Sequence, residues 1–499
     1  MQALWVLPLA VLALGGVGGG GAGAQGSARA VTEPVEPVVD VVIHNRVAAD
    51  SAHSCALTPA GKAICWGDGE YGRLGNGDVA LQERPVPVAG GRSYVSIGVG
   101  LQHSCGLTAE GDVWCWGRGS NGRLGNGATA DQSAPVQVVG GHKFTTLTVG
   151  RHHACGLTAE GRAYCWGYGG DGKLGNGATT SSSRPIEVHQ GSLRFKAISA
   201  GSYITCGIAT DGDTYCWGSS TNGKLGAGES DGIAFDPRKV LGGHRFAAVY
   251  AGHQYACALT AAGEAYCWGA NGSGQRGDGT TTRSAEPVPV SGGLKFTSLS
   301  VGKFHTCGIV EGGKAYCWGS NSNGKVGAGV PSGTTEDFHE PAKVNSSNRF
   351  VTLSIGNNHT CGVVTDGRGY CWGSNGRGKL GRGNTSGTYS SPQQVSTISN
   401  WTHISAGSDH TCGVTTDGEV YCWGAGDAGR LGTGAIDTTA TPLEVTTPSP
   451  VAFLNGASAG GIGGAQGGPS PFLPQKRRLE DYLWLAARGT KALYVTRLI

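Results

Sequence analysis

Between residues 134 and 183, apolar and polar positions alternate in four short runs. Pro135-Val-Gln-Val138 is opened by a proline, which a strand tolerates at its first position or on an edge. Phe144-Thr-Thr-Leu-Thr-Val149 sets β-branched and aromatic residues in a second run of strand character. Residues 154–158 and 162–166 supply a third and a fourth, and the Gly-rich stretch 167–177 then reads as a loop. Four short antiparallel strands in about fifty residues make one propeller blade. A unit of that size buries its faces only by stacking on copies of itself.

The copies are visible in the cysteines. All sixteen fall into pairs ten residues apart. Cys55 pairs with Cys65, Cys105 with Cys115, Cys155 with Cys165, and Cys206 with Cys216. Cys257 pairs with Cys267, Cys307 with Cys317, Cys361 with Cys371, and Cys412 with Cys422. The pairs recur every 50 to 54 residues, the mark of a repeat architecture. The chain is therefore predicted to be all-β, a propeller of eight, alternatively seven, four-stranded blades. An offset of ten sets two cysteines opposite each other across a hairpin loop with an odd number of residues. A three-residue loop fits, and its third place is glycine in all eight units, as in Ala159-Glu-Gly161. Such a hairpin is a type I turn closed by a left-handed residue, where glycine costs least. Turn chemistry and register thus agree on a disulfide inside each hairpin; sixteen buried thiols in a reducing compartment are the alternative. Each crosslink closes a ring of about 11 residues and contributes on the order of 2–3 kcal/mol by restricting the unfolded chain. The period of two also places Cys155 and Leu157 on one face, and Gly156 on the other, where Tyr164 and Trp166 lie.

The ends carry a different pattern. An apolar run from Ala3 to Leu14, followed by the small residues Ala22-Gly-Ala24, predicts a signal peptide over 1–24. A linker at 25–33 leads to the propeller at 34–446. A Gly/Pro/Ser-rich linker follows at 447–474, then a tail at 475–499 with a short amphipathic helix around Leu479, Tyr482, Leu483 and Leu485. No later stretch is apolar enough to span a membrane, so the mature chain is expected outside the cell, without a span and as a monomer. Pro34-Val-Glu-Pro-Val38 resembles the proline-led strand and makes a ninth candidate for eight places, so that one closes the ring by pairing the two ends.

Composition narrows the function. The net charge is +3 with 15% charged residues, which is no footprint for nucleic acid. Gly117-Arg-Gly-Ser-Asn-Gly122 satisfies the dinucleotide-loop pattern, but it leads into Arg-Leu-Gly-Asn-Gly instead of a helix and recurs at 67–72 and 167–172. A phosphate loop is needed once; a turn is needed in every blade. Neither G-x-S-x-G nor H-E-x-x-H occurs, no C-x-x-C pair suggests zinc, and every cysteine is committed to a pair. No catalytic residue, metal or cofactor is expected.

The repeated G-x-x-H-x-C-x-L-x-x-x-G-x-x-Y-C-W-G-x-N-x-x-G-x-L-G-x-G resembles the regulator-of-chromosome-condensation repeat over residues 34–446. The resemblance implies a β-propeller, usually of seven blades, in a family that includes a chromatin-bound exchange factor for the GTPase Ran and secreted inhibitors of β-lactamase. Paired cysteines and a leader bring this chain closer to an extracellular, disulfide-bearing branch. It is expected to be a non-enzymatic secreted scaffold for an unknown protein or other macromolecule; the alternative is a guanine-nucleotide exchange factor for a Ran-type GTPase.

Four groups of residues are candidates for contact. Histidine stands two places before the first cysteine in six units (His53, His103, His153, His305, His359, His410), either bonding the next blade or ringing a metal. Arg73, Arg123, Lys173, Lys224, Lys379 and Arg430 place a cation at one spot in six units, as a backbone-bonding ring or as a basic rim for an acidic partner. The long inter-strand segment 330–340 carries Glu336, Asp337, Phe338 and His339 and is expected to be a contact loop. Asn271, Asn345, Asn358, Asn384 and Asn400 begin N-x-S/T acceptors for glycans.

Overall fold

The computed structural model describes residues 47–49, 52–189, 191–330 and 336–445. The expected leader, both linkers, the tail and the strand-like 34–38 lie outside them. The described chain forms eight blades of four antiparallel strands, spanning 47–87, 96–137, 144–187, 195–239, 246–289, 296–343, 350–394 and 401–444. Strands pair in chain order within each blade. The proline-led strand is thus the fourth and outermost of its blade, not the opening strand of a unit: Gln132–Gln137 closes blade 2 and Phe144–Val149 opens blade 3. The eight-blade expectation holds.

The hairpins follow the register read from the sequence. Cys155 lies opposite Cys165, Gly156 opposite Tyr164 and Ala154 opposite Trp166. Each of the eight expected cysteine pairs is a disulfide joining the second and third strands of its own blade. In blades 1 to 4 the bonds are Cys55 to Cys65, Cys105 to Cys115, Cys155 to Cys165, and Cys206 to Cys216. In blades 5 to 8 they are Cys257 to Cys267, Cys307 to Cys317, Cys361 to Cys371, and Cys412 to Cys422. The Cα atoms of each pair are 4.1 Å apart, close to the separation of a non-hydrogen-bonded antiparallel pair. The alternative of sixteen buried thiols is thereby set aside. Gly161 sits at φ 76°, and its N–H donates to Thr158 across the turn. On the aromatic face Gly156 leaves room for the Phe144 ring, which a Cβ there would meet at 2.5 Å. Disulfide and aliphatic side chains fill the other face and pack against the aromatics of the next blade.

Neighbouring blades are joined by one recurring contact. The Arg/Lys-Leu-Gly segment, replaced by Gln275-Arg-Gly277 in blade 5 and Lys325-Val-Gly327 in blade 6, lies within the loop between the third and fourth strands of its blade. Its leucine is fully buried, and its glycine lies against the tryptophan of the next blade. At Gly226 (φ 69°) a Cβ would stand 2.9 Å from the Trp268 indole nitrogen. The carbonyl of the basic residue accepts from that indole: Trp217 Nε1 donates to Lys173 O, Trp268 to Lys224 O, Trp372 to Lys325 O and Trp423 to Lys379 O, at 2.9–3.0 Å. The same carbonyls of Lys173, Lys325 and Lys379 accept a second bond, from the hydroxyls of Thr205, Thr360 and Thr411. Those hydroxyls, having spent their proton, accept from His153, His305 and His359 Nε2, each at 2.9 Å. These histidines therefore stitch blade to blade. Tyr255 takes the same part toward Thr306.

This contact also closes the ring. Blade 8 is built wholly from 401–444 and blade 1 from 47–87, so neither lends a strand to the other. Instead His410 Nε2 bonds Ser54 Oγ at 2.9 Å, Trp66 Nε1 donates to Arg430 O at 2.9 Å, and Gly434 N donates to Glu83 O at 2.7 Å. Val47, Ala56, Ile64 and Trp66 share one core cluster with Val414, Val420 and Leu431. The first strand enters and the last strand leaves on the side of the hairpin turns.

The seam between blades 1 and 2 lacks the indole bond, Trp116 Nε1 having no partner among the described residues, and one seam lacks all of these bonds. Between blades 2 and 3 the hydroxyl is replaced by Ala154, and buried His103 and the Trp166 indole find no partner. Ala154→Ser supplies the missing hydroxyl and is expected to raise stability by about 1 kcal/mol. Thermal or denaturant unfolding beside wild type measures it; a melting temperature below wild type contradicts the account of this seam.

Candidate functional site at the channel mouth

In blades 2 to 8 each first strand leads into a glycine and a two-residue corner before the second strand begins. The corners are Gly100-Leu-Gln, Gly150-Arg-His, Gly201-Ser-Tyr, Gly252-His-Gln, Gly302-Lys-Phe, Gly356-Asn-Asn and Gly407-Ser-Asp. They ring one mouth of the central channel, where Leu101, Arg151, Ser202, His253 and Lys303 line a cavity of about 630 Å³. Deeper in, strand hydroxyls brace adjacent blades, as where Thr148 Oγ1 accepts from Ala200 N and Ser354 Oγ from Ala406 N.

Charge around this mouth is lopsided. In blades 7, 8 and 1 the cations are met by carboxylates: Lys379 by Asp409 at 2.6 Å, Arg430 by Asp427 at 2.7 Å, and Arg73 by Glu70 at 3.1 Å and Asp68 at 3.3 Å. Along the inner rim of blades 2 to 6 only Lys173 has such a partner, Asp171 at 3.2 Å, while Arg276 turns into its own loop on Asp278. Arg118, Arg123, Arg151, Lys224, Lys303 and Lys325 have no carboxylate within ion-pair distance among the described residues. Gln102 accepts from Arg118 at 2.9 Å and Gln254 from Lys224 at 2.9 Å, neutral oxygens that leave the charge uncompensated.

Aromatic rings alternate with these cations. Lys173 Nζ stands 4.8 Å from the Tyr168 ring and 5.6 Å from Tyr203, and Lys224 Nζ 5.1 Å from Tyr203. Lys303 and Lys325 flank Phe304 at 5.0 and 5.6 Å. Ring faces attract cations through their quadrupole. Phe304 is 43% exposed, and Tyr203 meets His253 edge-on at 5.1 Å. The positive field is felt by the histidines of the arc. Burial, then Arg123 and Arg151, push His152 down to about 4, and burial, then Lys303 and Arg151, do the same to His253. Burial also draws Lys224 and Lys325 down to about 8.

The residues singled out in the sequence are distributed differently. Arg73, Arg123, Lys173, Lys224 and Lys379 are buried, their carbonyls or loops serving the blade contact, so they form no exposed rim. Lys325 and Gln275 hold the same place in blade 6 and blade 5. Of the expected contact loop, Phe338 and His339 belong to the strand Phe338–Lys343; Phe338 lies opposite Gly319 and packs on the blade core. Asp337 accepts from Asn321 N and closes its own loop; of these four residues only Glu336 is exposed. Asn271 is buried, donating to Asp278 and Thr280, and has no space for a glycan in the folded blade. Asn345 and Asn384 are exposed, Asn358 and Asn400 half-buried. The Arg151, Lys303, Tyr203 and His253 corners escaped sequence reading because they sit inside the repeated motif; aligning the eight units on that corner shows its variation.

Comparison with known proteins places this architecture. The RCC1-like domain pattern matches residues 182–464, and the regulator of chromosome condensation (RCC1) repeat matches 60–107 and 110–157. The chain belongs to the RCC1-like domain family. Among RCC1-like relatives it is 33% identical over 248 residues to the ultraviolet-B receptor UVR8 of Arabidopsis thaliana, covering 48% of this chain and 56% of that one. It is 32% identical over 273 residues to the human E3 ubiquitin-protein ligase HERC2, covering 53% of this chain and 6% of that one. The matched region thus spans about half of one relative and a small part of the other. In fold it is similar to Prp20p of Saccharomyces cerevisiae, a structure reported with its binding to Gsp1p and histones, at 22% identity and TM-score 0.56 over 71% of this chain and 91% of that one. The eight disulfides set this RCC1-like propeller in an oxidising, non-cytosolic setting. No helix among its described residues is long and apolar enough to cross a membrane.

The inter-blade histidines make RCC1-like packing here acid-labile. Burial, followed by a nearby cation, lowers His53, His153, His359 and His410 to about 3. Below about pH 6.5 the unfolded chain binds protons that these imidazoles refuse. Stability is therefore fully present above that pH and is lost as pH falls from it toward 3. Melting temperatures across pH 7.5 to 4 are expected to drop steeply and continuously; a flat profile down to pH 5 is the contrary result.

Proposed function

We propose that the protein is a secreted, non-catalytic scaffold that binds a protein partner at the channel mouth. The observation that carries this reading is the pairing of every described cysteine: eight bonded hairpins and no free thiol suit folding in an oxidising compartment. They also hold the corners around the mouth on a rigid frame, as binding residues require. Protein binding is what a member of the same fold does, Prp20p with Gsp1p and histones. The chemistry at the mouth favours association over catalysis, for its cations lie beside rings and amide oxygens, and no hydrogen-bonded nucleophile–base pair lies there among the described residues.

Two measurements test this. Thiol titration of the denatured, unreduced protein from its native source is expected to find close to none of the sixteen; sixteen thiols would instead fit a cytosolic or nuclear exchange factor of the Ran type. A photo-crosslinking residue at Ser202 in the mouth is expected to capture the partner, whereas one at Gly91, on the hairpin side, is not. Capture from Gly91 alone would move the binding face to the other side.

A further inference from the structure

The cation arc has a chemistry narrower than protein binding in general. Three of its cations reach outward: Arg118 and Arg151, half-buried, and Lys303, exposed. The others lie beneath the surface, with Lys224 and Lys325 only 2% and 1% accessible, so they contribute field more than contacts. Between them stand the exposed Phe304 ring and the half-buried Tyr203 ring. The opposite half of the mouth offers Asn357, Ser408 and the lysine-paired Asp409 and has no comparable surplus. A ligand that satisfies this arc brings a few spaced carboxylates and at least one apolar side chain. A sulfated glycan or a nucleic acid brings one charge per short repeat and binds through many phosphate or sulfate contacts, more than three outward cations can meet.

On the reading that the mouth is the docking face, we propose that its blade 2–6 arc binds an acidic peptide segment of the partner. Carboxylates pair with Arg118, Arg151 and Lys303, and an aromatic or aliphatic side chain packs against Phe304 and Tyr203. Charge-assisted bonds to arginine are strong and directional. The rings supply an apolar anchor of the kind that dominates interface energetics. The arc occupies about half the circumference, so the segment lies along one side of the mouth with the channel open beside it. The start of the first strand and the end of the last lie on the opposite face.

The test is fluorescence anisotropy on the full chain with a fluorescein-labelled peptide of four Glu-Glu-Phe repeats. Saturable binding is expected, at least tenfold weaker for the matching Gln-Gln-Phe peptide and severalfold weaker when NaCl rises from 50 to 300 mM, concentrations of order those that screen surface charge. The double variant Arg151→Glu with Lys303→Glu is expected to lose at least tenfold in affinity with an unchanged melting temperature. Lys143→Glu with Lys295→Glu, the same charge change on the hairpin side, is expected to stay within twofold. Equal affinity for the glutamine peptide, equal loss in the hairpin-side variant, or tighter binding of a heparin oligosaccharide abolished by the mouth double variant would each overturn the assignment. Capture at Ser202 of a partner lacking acidic segments would overturn it too, while leaving the mouth as the docking face.

Discussion

The structure depends on how one blade grips the next. At six of the eight seams the first carbonyl of the Arg/Lys-Leu-Gly segment, or of its equivalent in blades 5 and 6, receives the indole N–H of the following blade, and the glycine two residues on makes room for the ring. The indole is fully buried at this contact, and a buried N–H left without an acceptor is costly. The hydroxyl and imidazole that share the contact extend it into a short chain of bonds running from blade to blade. A strand exchanged between first and last blades would be another way to seal the circle. Here the seam between blades 8 and 1 uses the same side-chain contact as the interior seams.

The disulfides do a different job. Each lies within one hairpin, at the centre of a blade, and ties no blade to another. They limit the freedom of the unfolded chain and fix the register of the second and third strands, whose far ends carry the corner residues at the mouth. Rigid blades and a side-chain-sealed ring together hold Arg151, Tyr203, His253 and Lys303 around one opening. Hairpin and latch therefore both set the geometry of the mouth.

Much of this was legible in the sequence, for local reasons. The cysteine offset, the hairpin glycine and the alternation of faces involve residues within a dozen positions of each other, and geometry decides them. The latch was only half legible. His153 and Trp217 recur as motif residues, but their partners Thr205 and Lys173 stand 52 and 44 positions away in a neighbouring unit, where periodicity alone does not identify a contact. The basic positions were half legible: the side chains of Arg73, Arg123, Lys173 and Arg430 bond backbone carbonyls, as one of the two readings had it, whereas the contact their own carbonyls make with the next blade was not foreseen. Segment length misled at 330–340, where Phe338 had already rejoined the strand pattern. The mouth was hidden by its own regularity, because its variation lies in two positions of a motif that otherwise repeats.

These threads meet in one claim, that the latch seals the circle at the seam the chain does not cross just as it joins blades in the interior. Thermal unfolding of Gly432→Ala tests it most directly, beside Gly226→Ala as the interior control. A Cβ at Gly432 would meet the Trp66 ring at 2.8 Å, and at Gly226 the Trp268 ring at 2.9 Å, both at positive φ. The account predicts that both variants melt several degrees below wild type in a single transition. A Gly432→Ala protein that melts with wild type while Gly226→Ala does not would show that the ring is closed by something else.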